Sequence, residues 1–252
     1  MHAIGGVSGI TVSQAHIPPA YSTCLASTAR SHINVAIVKL VAASFAWPFR
    51  SKWHGAWLIG VPLVLLVPVA FIPLLGYAVL ATRSASTDPG RGLPRWTASR
   101  RLLSDGFWVA LAVILIAAPF ALVLGPLATF IDQAHLWRVS DVALSRLYAD
   151  IAAAFILALP WGIVMLLLMP HATARFAMSG RPGDLFDFQA AVRSVARDFA
   201  TWNLAAAAIV TAWALGLACV GLLCVGLGPG IFYAILVSAH ASAALNDAAA
   251  RG

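Results

Sequence analysis

Five apolar runs constrain this chain more than anything else in it: 56–82, 107–131, 151–169, 201–224 and 229–245. Most come close to, or exceed, the roughly 20 residues with which a helix crosses about 30 Å of hydrocarbon. Inside lipid a backbone must satisfy its own donors and acceptors, and a helix does so within one segment. Charge is correspondingly scarce. Only 10% of residues are charged and 61% are hydrophobic, where a soluble domain carries about a quarter charged residues. Glu is absent, and all nine acidic residues are Asp. The fold class read from this is all-α, a polytopic helical membrane protein of about five or six apolar helices plus two amphipathic interfacial helices.

Residues 1–34, rich in Gly, Ser, Ala and His, hold no sustained period of 2 or 3.6. They read as a disordered tail or a mis-assigned start, with translation beginning near Val35 or Val38. A full-length intact mass from the native host would sink that second reading. A single helical transmembrane domain is expected over 35–246, followed by a polar tail at 247–252.

The stretch "VPLVLLVPVAFIP" (61–73) poses a topological fork, because Pro62, Pro68 and Pro73 each remove a helical donor. As one helix, 56–82 would reach about 40 Å; as two halves it would make a re-entrant hairpin of about 20 Å. Charge bears on the choice. Two polar connectors, 83–105 and 171–199, hold Arg83, Arg91, Arg95, Arg100, Arg101, Arg175, Arg181, Arg193 and Arg197. The segment 132–150 sets only Arg138 and Arg146 against Asp132, Asp141 and Asp150. Positively charged loops stay inside, so both connectors are expected at the cytoplasmic side of the inner membrane. A single crossing would strand Lys39, Arg50 and Lys52 on the other side, whereas a returning hairpin keeps them with the other arginines. The hairpin is the favoured reading. A glycine-rich break at Gly226, Gly228, Pro229 and Gly230 separates the last two runs and returns Arg251 to the same side. "LPWG" at 159–162 reads as a kink inside the third run.

The connectors align with each other at an offset of 92 residues, which matches Arg83 with Arg175, Leu93 with Leu185 and Phe107 with Phe199. In the second, Leu185, Phe188, Val192, Val195, Phe199 and Trp202 recur at steps of three and four, an apolar stripe on one helical face. In the first, Leu93, Trp96, Leu103, Phe107 and Ala110 repeat it, with Arg100 as a defect. Each connector is therefore expected to end in an amphipathic interfacial helix. A second offset, of 156, aligns "PLLGYAVLATRSAS" (73–86) with "PGIFYAILVSAHAS" (229–242) and sets Pro73 against Pro229. Together they point to an internal repeat.

The net charge of +7 lies in segments flanking apolar runs. That pattern indicates anionic lipid headgroups as partners and no nucleic acid. Cys24, Cys219 and Cys224 make no disulfide framework; Cys219 and Cys224 read as small packing residues, and Cys24 lacks the context of a lipidation site. Asp184 and Asp187 in "DLFDF" have a spacing found in some metal-dependent lipid enzymes. The simpler reading makes Asp184 an N-cap and Asp187 a first-turn residue, and no second acidic cluster exists to share a cation. His240, between Ser238 and Ser242 in the last run, is a functional candidate because ionisable groups in membranes are costly. A neutral histidine bonded to a neighbouring helix is the favoured reading over a proton relay. Asp150 and Asn203 fall near headgroup level. His2, His16, His32, His54, His135 and His171 lack ligand-like spacing. No nucleophile–base pair or phosphate loop is visible, so no catalytic, cofactor-binding or metal residues are assigned, no cofactor is expected, and the chain reads as a non-enzyme.

Several short motifs in order resemble a bacterial and archaeal membrane family known as domain of unknown function 4013. "FAWPFRSKWHGAWLIG" (45–60) is similar to its lead into the first apolar run. "GY" (76–77), "LPRW" (93–96) and "DG" (105–106) match its first connector. "MP" (169–170), Arg175 and "DLFDF" (184–188) match its second, and "FYAILVSAH" (232–240) its closing helix. The resemblance covers about 40–245 and implies a helical membrane protein with no defined activity; the leader and the polar end "NDAAARG" depart from it. The function expected is a lipid-associated or scaffolding component. The alternative is a small-solute transporter or channel subunit with broken helices.

Overall fold

The computed structural model describes residues 39, 41–50, 53–67, 69–88, 90, 92–134, 141–219 and 226–249. The chain divides into two compact units, Met1–Lys39 and Leu40–Gly252. Of the first, only Lys39 is described. The expectations for 1–34, including Cys24, lie outside the described residues, as do Lys52, Pro68, Arg91, Arg138, Arg251 and Cys224.

The second unit is helical, and no strand occurs among the described residues. A short helix α1 (41–46) runs into a 3₁₀ turn at Trp47–Phe49. There follow α2 (Trp53–Leu65), α3 (Phe71–Thr87), α4 (Arg100–Gln133), α5 (Val142–Ser179), α6 (Gly183–Phe186), α7 (Phe188–Arg197), α8 (Phe199–Ala218) and α9 (Leu227–Ala249). Four are long and apolar enough to cross a membrane: α4, α5, α8 and the Leu227–Leu245 part of α9. The polytopic all-α class holds. With 34 and 38 residues, α4 and α5 reach about 51 and 57 Å, well beyond the hydrocarbon thickness.

Local chemistry sets the helix ends. Ser99 accepts from the Leu102 amide, Asp141 from Ala143 and Leu144, and Asp198 from Thr201, each satisfying orphan donors of a first turn. Gly180 closes α5 with φ 68° and gives its amide to Phe176 O at 2.8 Å, a left-handed cap that suits glycine.

The apolar run 56–82 turns back on itself. Along α9, the Trp47 ring lies 5.3 Å from His240 and the Trp57 ring 5.6 Å from Phe232. Farther along, a Cβ added to Gly228 would come 3.0 Å from Val61 Cγ1 and 3.3 Å from Leu65 Cγ. The chain thus descends α9 from its C-terminal to its N-terminal part. It then climbs back, with Tyr77 6.1 Å from Phe232 and Ala81 and Ala85 in one cluster with Leu236, Ala239 and Ala243. Between the two limbs the Leu66 amide donates to Pro62 O, Val67 to Val64 O and Ala70 to Leu66 O. These amides are satisfied locally, while Leu66 and Val69 are exposed. An apolar turn that bonds itself in this way is compatible with lipid.

Other expectations need correction. No separate helix ends the first connector: residues 92–99 are not helical, and its stripe runs into α4 without a break. Leu103 and Phe107 are exposed, although Ala110 of the same stripe is buried, and the buried face in this part of α4 also takes in Leu102, Asp105, Gly106 and Val109. The second stripe is cut at Asp187 and Asp198 into three helices, with Phe188, Val192 and Phe199 exposed. The two aligned connectors therefore fold differently. The break before the last helix lies ahead of Leu227, so Gly228, Pro229 and Gly230 are helical. Proline is tolerated there because first-turn amides lack helical partners anyway. α5 runs as one helix through Pro160, where the sequence places a kink, and α9 extends to Ala249.

Small residues make the closest contacts. A Cβ on Gly216 would lie 2.6 Å from Gly230 O, and one on Gly230 equally near Gly216 O. Ala212 clusters with Ala234, and Ala205 and Ala208 with Ala241. In lipid no hydrophobic drive joins helices, so close backbone approach supplies the packing energy.

Candidate functional site

Two arginine-centred clusters organise the connectors, the first joining them to each other and the second lying within 171–199. Arg83 on α3 donates from Nε to Ala177 O near the end of α5, at 2.6 Å, and from Nη2 to Asp105 on α4, at 3.1 Å. Arg101 Nε stands 3.9 Å from the same carboxylate. One guanidinium thus ties three helices together, with the Asp105 side chain 11% exposed.

Near the end of α5, Arg175 meets Asp184 at 3.0 Å and Asp187 at 3.4 Å in the segment that follows. The Ser179 hydroxyl also donates to Asp184. The expected roles of the two carboxylates are exchanged. Asp187 is the N-cap of α7, accepting from the Ala190 amide at 3.0 Å, while Asp184 sits in the first turn of α6. The reason is the chain break at Asp187, which starts a new helix after "DLF". The Ala190 amide, helped by Arg175, holds the Asp187 carboxyl below its usual range. Both carboxylates turn to a guanidinium, and no cluster of three or more metal-ligating side chains occurs among the described residues.

The other candidates are dispersed. His240 is buried and shares a 2.9 Å hydrogen bond, through Nδ1, with the fully buried Ser44 hydroxyl on α1. This is the favoured bonded histidine, and its partner lies 196 residues away in sequence. Tyr233, two turns earlier on the same face of α9, donates to Phe45 O at 3.1 Å. Asp150 is exposed and stands 3.9 Å from Arg146 on the same helix. Asn203 is exposed, and Cys219 is half-buried beside Gly226 and Gly230. His171 is buried in α5 with Nε2 unpartnered.

The short motifs of the first connector converge. The Tyr77 hydroxyl donates to Pro94 O at 2.9 Å, and its ring stacks on Trp96 at 4.0 Å and 6°. Trp96 Nε1 in turn donates to Ala56 O at 3.0 Å. "GY" and "LPRW" therefore pin the non-helical connector against the hairpin, and Gly76 meets the "DG" segment at the crossing of α3 and α4.

A family profile described as Protein of unknown function (DUF4013) matches residues 59–225, about two thirds of the chain. The chain belongs to this family. The DUF4013 match takes in "GY", "LPRW", "DG", "MP", Arg175 and "DLFDF". It leaves out residues 45–58 of the aromatic lead-in and the closing "FYAILVSAH". No curated protein and no solved structure matches the chain.

Arg83, Arg101 and Arg175 are neutralised by Asp105, Asp184 and Asp187. Arg95, Arg100, Arg181 and Arg197 are exposed and meet no acidic partner among the described residues, while the exposed Arg193 lies within electrostatic reach of Asp187. Sequence reasoning grouped these arginines by segment and missed the division, because ion pairing depends on helices brought together by the fold.

Proposed function

We propose that this DUF4013 protein is a non-enzymatic, lipid-associated scaffolding component of the inner membrane, with its basic connectors at the cytoplasmic leaflet. The observation that carries the reading is the excess of four exposed arginines without acidic partners among the described residues, Arg95, Arg100, Arg181 and Arg197, on two connectors that Arg83 links through Ala177. Each basic residue near an anionic surface is worth about 1 kcal/mol. In this reading α7 lies along the interface, with Phe188 and Val192 toward the acyl boundary and Arg193 and Arg197 toward headgroups. Orientation follows from the positive-inside rule.

The experiment is thermal unfolding of the full-length protein in nanodiscs of phosphatidylcholine with and without phosphatidylglycerol. Anionic lipid is expected to raise the melting temperature, and Arg181→Gln with Arg193→Gln and Arg197→Gln to reduce the rise. Equal melting in both lipids would defeat the proposal. The reversal of the chain between α2 and α3 gives the transporter alternative little support, because the Leu66, Val67 and Ala70 amides bond locally. Solute flux in vesicles that disappears in His240→Ala would put that alternative first.

A further inference from the structure

A groove of about 330 Å³ opens between the α2–α3 hairpin and the connector leading into α4. Ile59, Leu63 and Pro73 line the hairpin side; Trp96, Leu102 and Leu103 line the other. Its volume is at the lower end of small-ligand sites. An α-helix with its side chains is about 10 Å across, so the groove is too small for a partner helix but suits a hydrocarbon chain. Ile59 and Leu103 are both exposed, so the groove communicates with the surroundings of the hairpin, which in a bilayer are acyl chains.

Charge narrows the occupant. Arg95 and Arg100 bracket the Trp96–Ala98 wall in sequence, both exposed and without an acidic partner among the described residues. Arg101 is turned to Asp105, and the Ser99 hydroxyl oxygen accepts from the Leu102 amide. The segment that walls the slot thus carries an exposed arginine on either side of Trp96–Ala98 in sequence, and guanidinium forks match phosphate oxygens in pairs. We propose that the groove holds one acyl chain of an anionic phospholipid whose phosphate is bound by Arg95 and Arg100. This rests on the basic-connector reading and gives it a defined lipid site.

Native mass spectrometry of the full-length protein, released from nanodiscs of mixed phosphatidylglycerol and phosphatidylcholine, tests the site. One phosphatidylglycerol is expected to remain bound, preferred by at least on the order of tenfold. Arg95→Gln with Arg100→Gln should remove the preference, and Leu63→Trp, which fills the slot, should remove the bound lipid itself. Arg193→Gln with Arg197→Gln should leave both unchanged. If the groove variants keep their lipid while the Arg193/Arg197 variant loses it, the groove is the wrong site and the basic-connector reading stands. If the wild type shows no preference for anionic lipid, both fall. Because the double arginine variant alters only exposed side chains, it decides the matter even if Leu63→Trp does not fold.

Discussion

Gly106 on α4 packs against the backbone of α3 at Gly76: a Cβ on Gly106 would fall 2.8 Å from the Gly76 amide nitrogen and 2.0 Å from Ile72 O. The relation is nearly reciprocal, since a Cβ on Gly76 would fall 2.0 Å from Leu102 O. The obstructing atoms are backbone and cannot rotate away. Gly76→Ala and Gly106→Ala should each destabilise the protein by about 1–3 kcal/mol or more. Gly125 and Gly162 have nothing within 4 Å, so alanine there should be neutral or stabilise by up to about 1 kcal/mol. Thermal unfolding of the four variants in detergent checks the contrast; equal effects would mean that the crossing is not close-packed.

The hydrogen bond between Ser44 and His240 joins α1 to the closing helix. Ser44→Ala leaves the His240 ring without that partner in a buried place, a loss of about 1–3 kcal/mol. A double-mutant cycle with His240→Ala should show coupling, and additive losses would exclude the bond.

Arg83 and Asp105 form a partly buried pair that also engages the Ala177 carbonyl. Asp105→Asn keeps the shape and removes the charge, with an expected cost of about 1.5–3 kcal/mol. Arg146 and Asp150 are both about half exposed, and Asp150→Asn should cost less than about 0.5 kcal/mol. Chemical denaturation of the two variants separates them; equal losses would remove Arg83 from the role of a tie between helices.

Asp187 carries a pH signature. Its carboxyl titrates below the ordinary value because the folded chain favours the charged form through the Ala190 amide and Arg175. Its contribution is therefore complete above the unfolded value of about 3.9 and is lost as pH falls through the lower folded value. Amide exchange in α7 should accelerate in that acidic window. Asp187→Asn, which can still cap, should flatten the pH dependence, whereas Asp187→Ala should fray α7 at every pH. An unchanged acidic profile in Asp187→Asn would assign the effect elsewhere.

The reversal at 66–70 sets Arg50 and the second connector at one end of the helices. In a cysteine-free background, Arg50→Cys and Gly183→Cys should react with an impermeant thiol reagent from the same side, and Ala134→Cys from the opposite side. Labelling of positions 50 and 183 from opposite sides would require a single crossing.

The sequence alone determined that the chain is helical and polytopic, because length and hydropathy of a run decide whether it can sit in lipid. Charge placement also favoured the returning hairpin, which the packing of Trp57 and Tyr77 on Phe232 bears out as a reversal of the chain. Helix caps were half legible: the acidic residues of "DLFDF" marked a helix start, but the exchange between Asp184 and Asp187 depended on where the chain broke. Apolar periodicity misled at Leu103, Phe107 and Val192. In a membrane protein an apolar face can turn outward, so the stripe does not reveal which side packs. Tertiary structure alone decided the crossing of Gly76 with Gly106, the partner of His240 and the division of the arginines into paired and free. Each of these depends on atoms distant in the chain coming within a few ångströms, a proximity that spacing along a single helix does not encode.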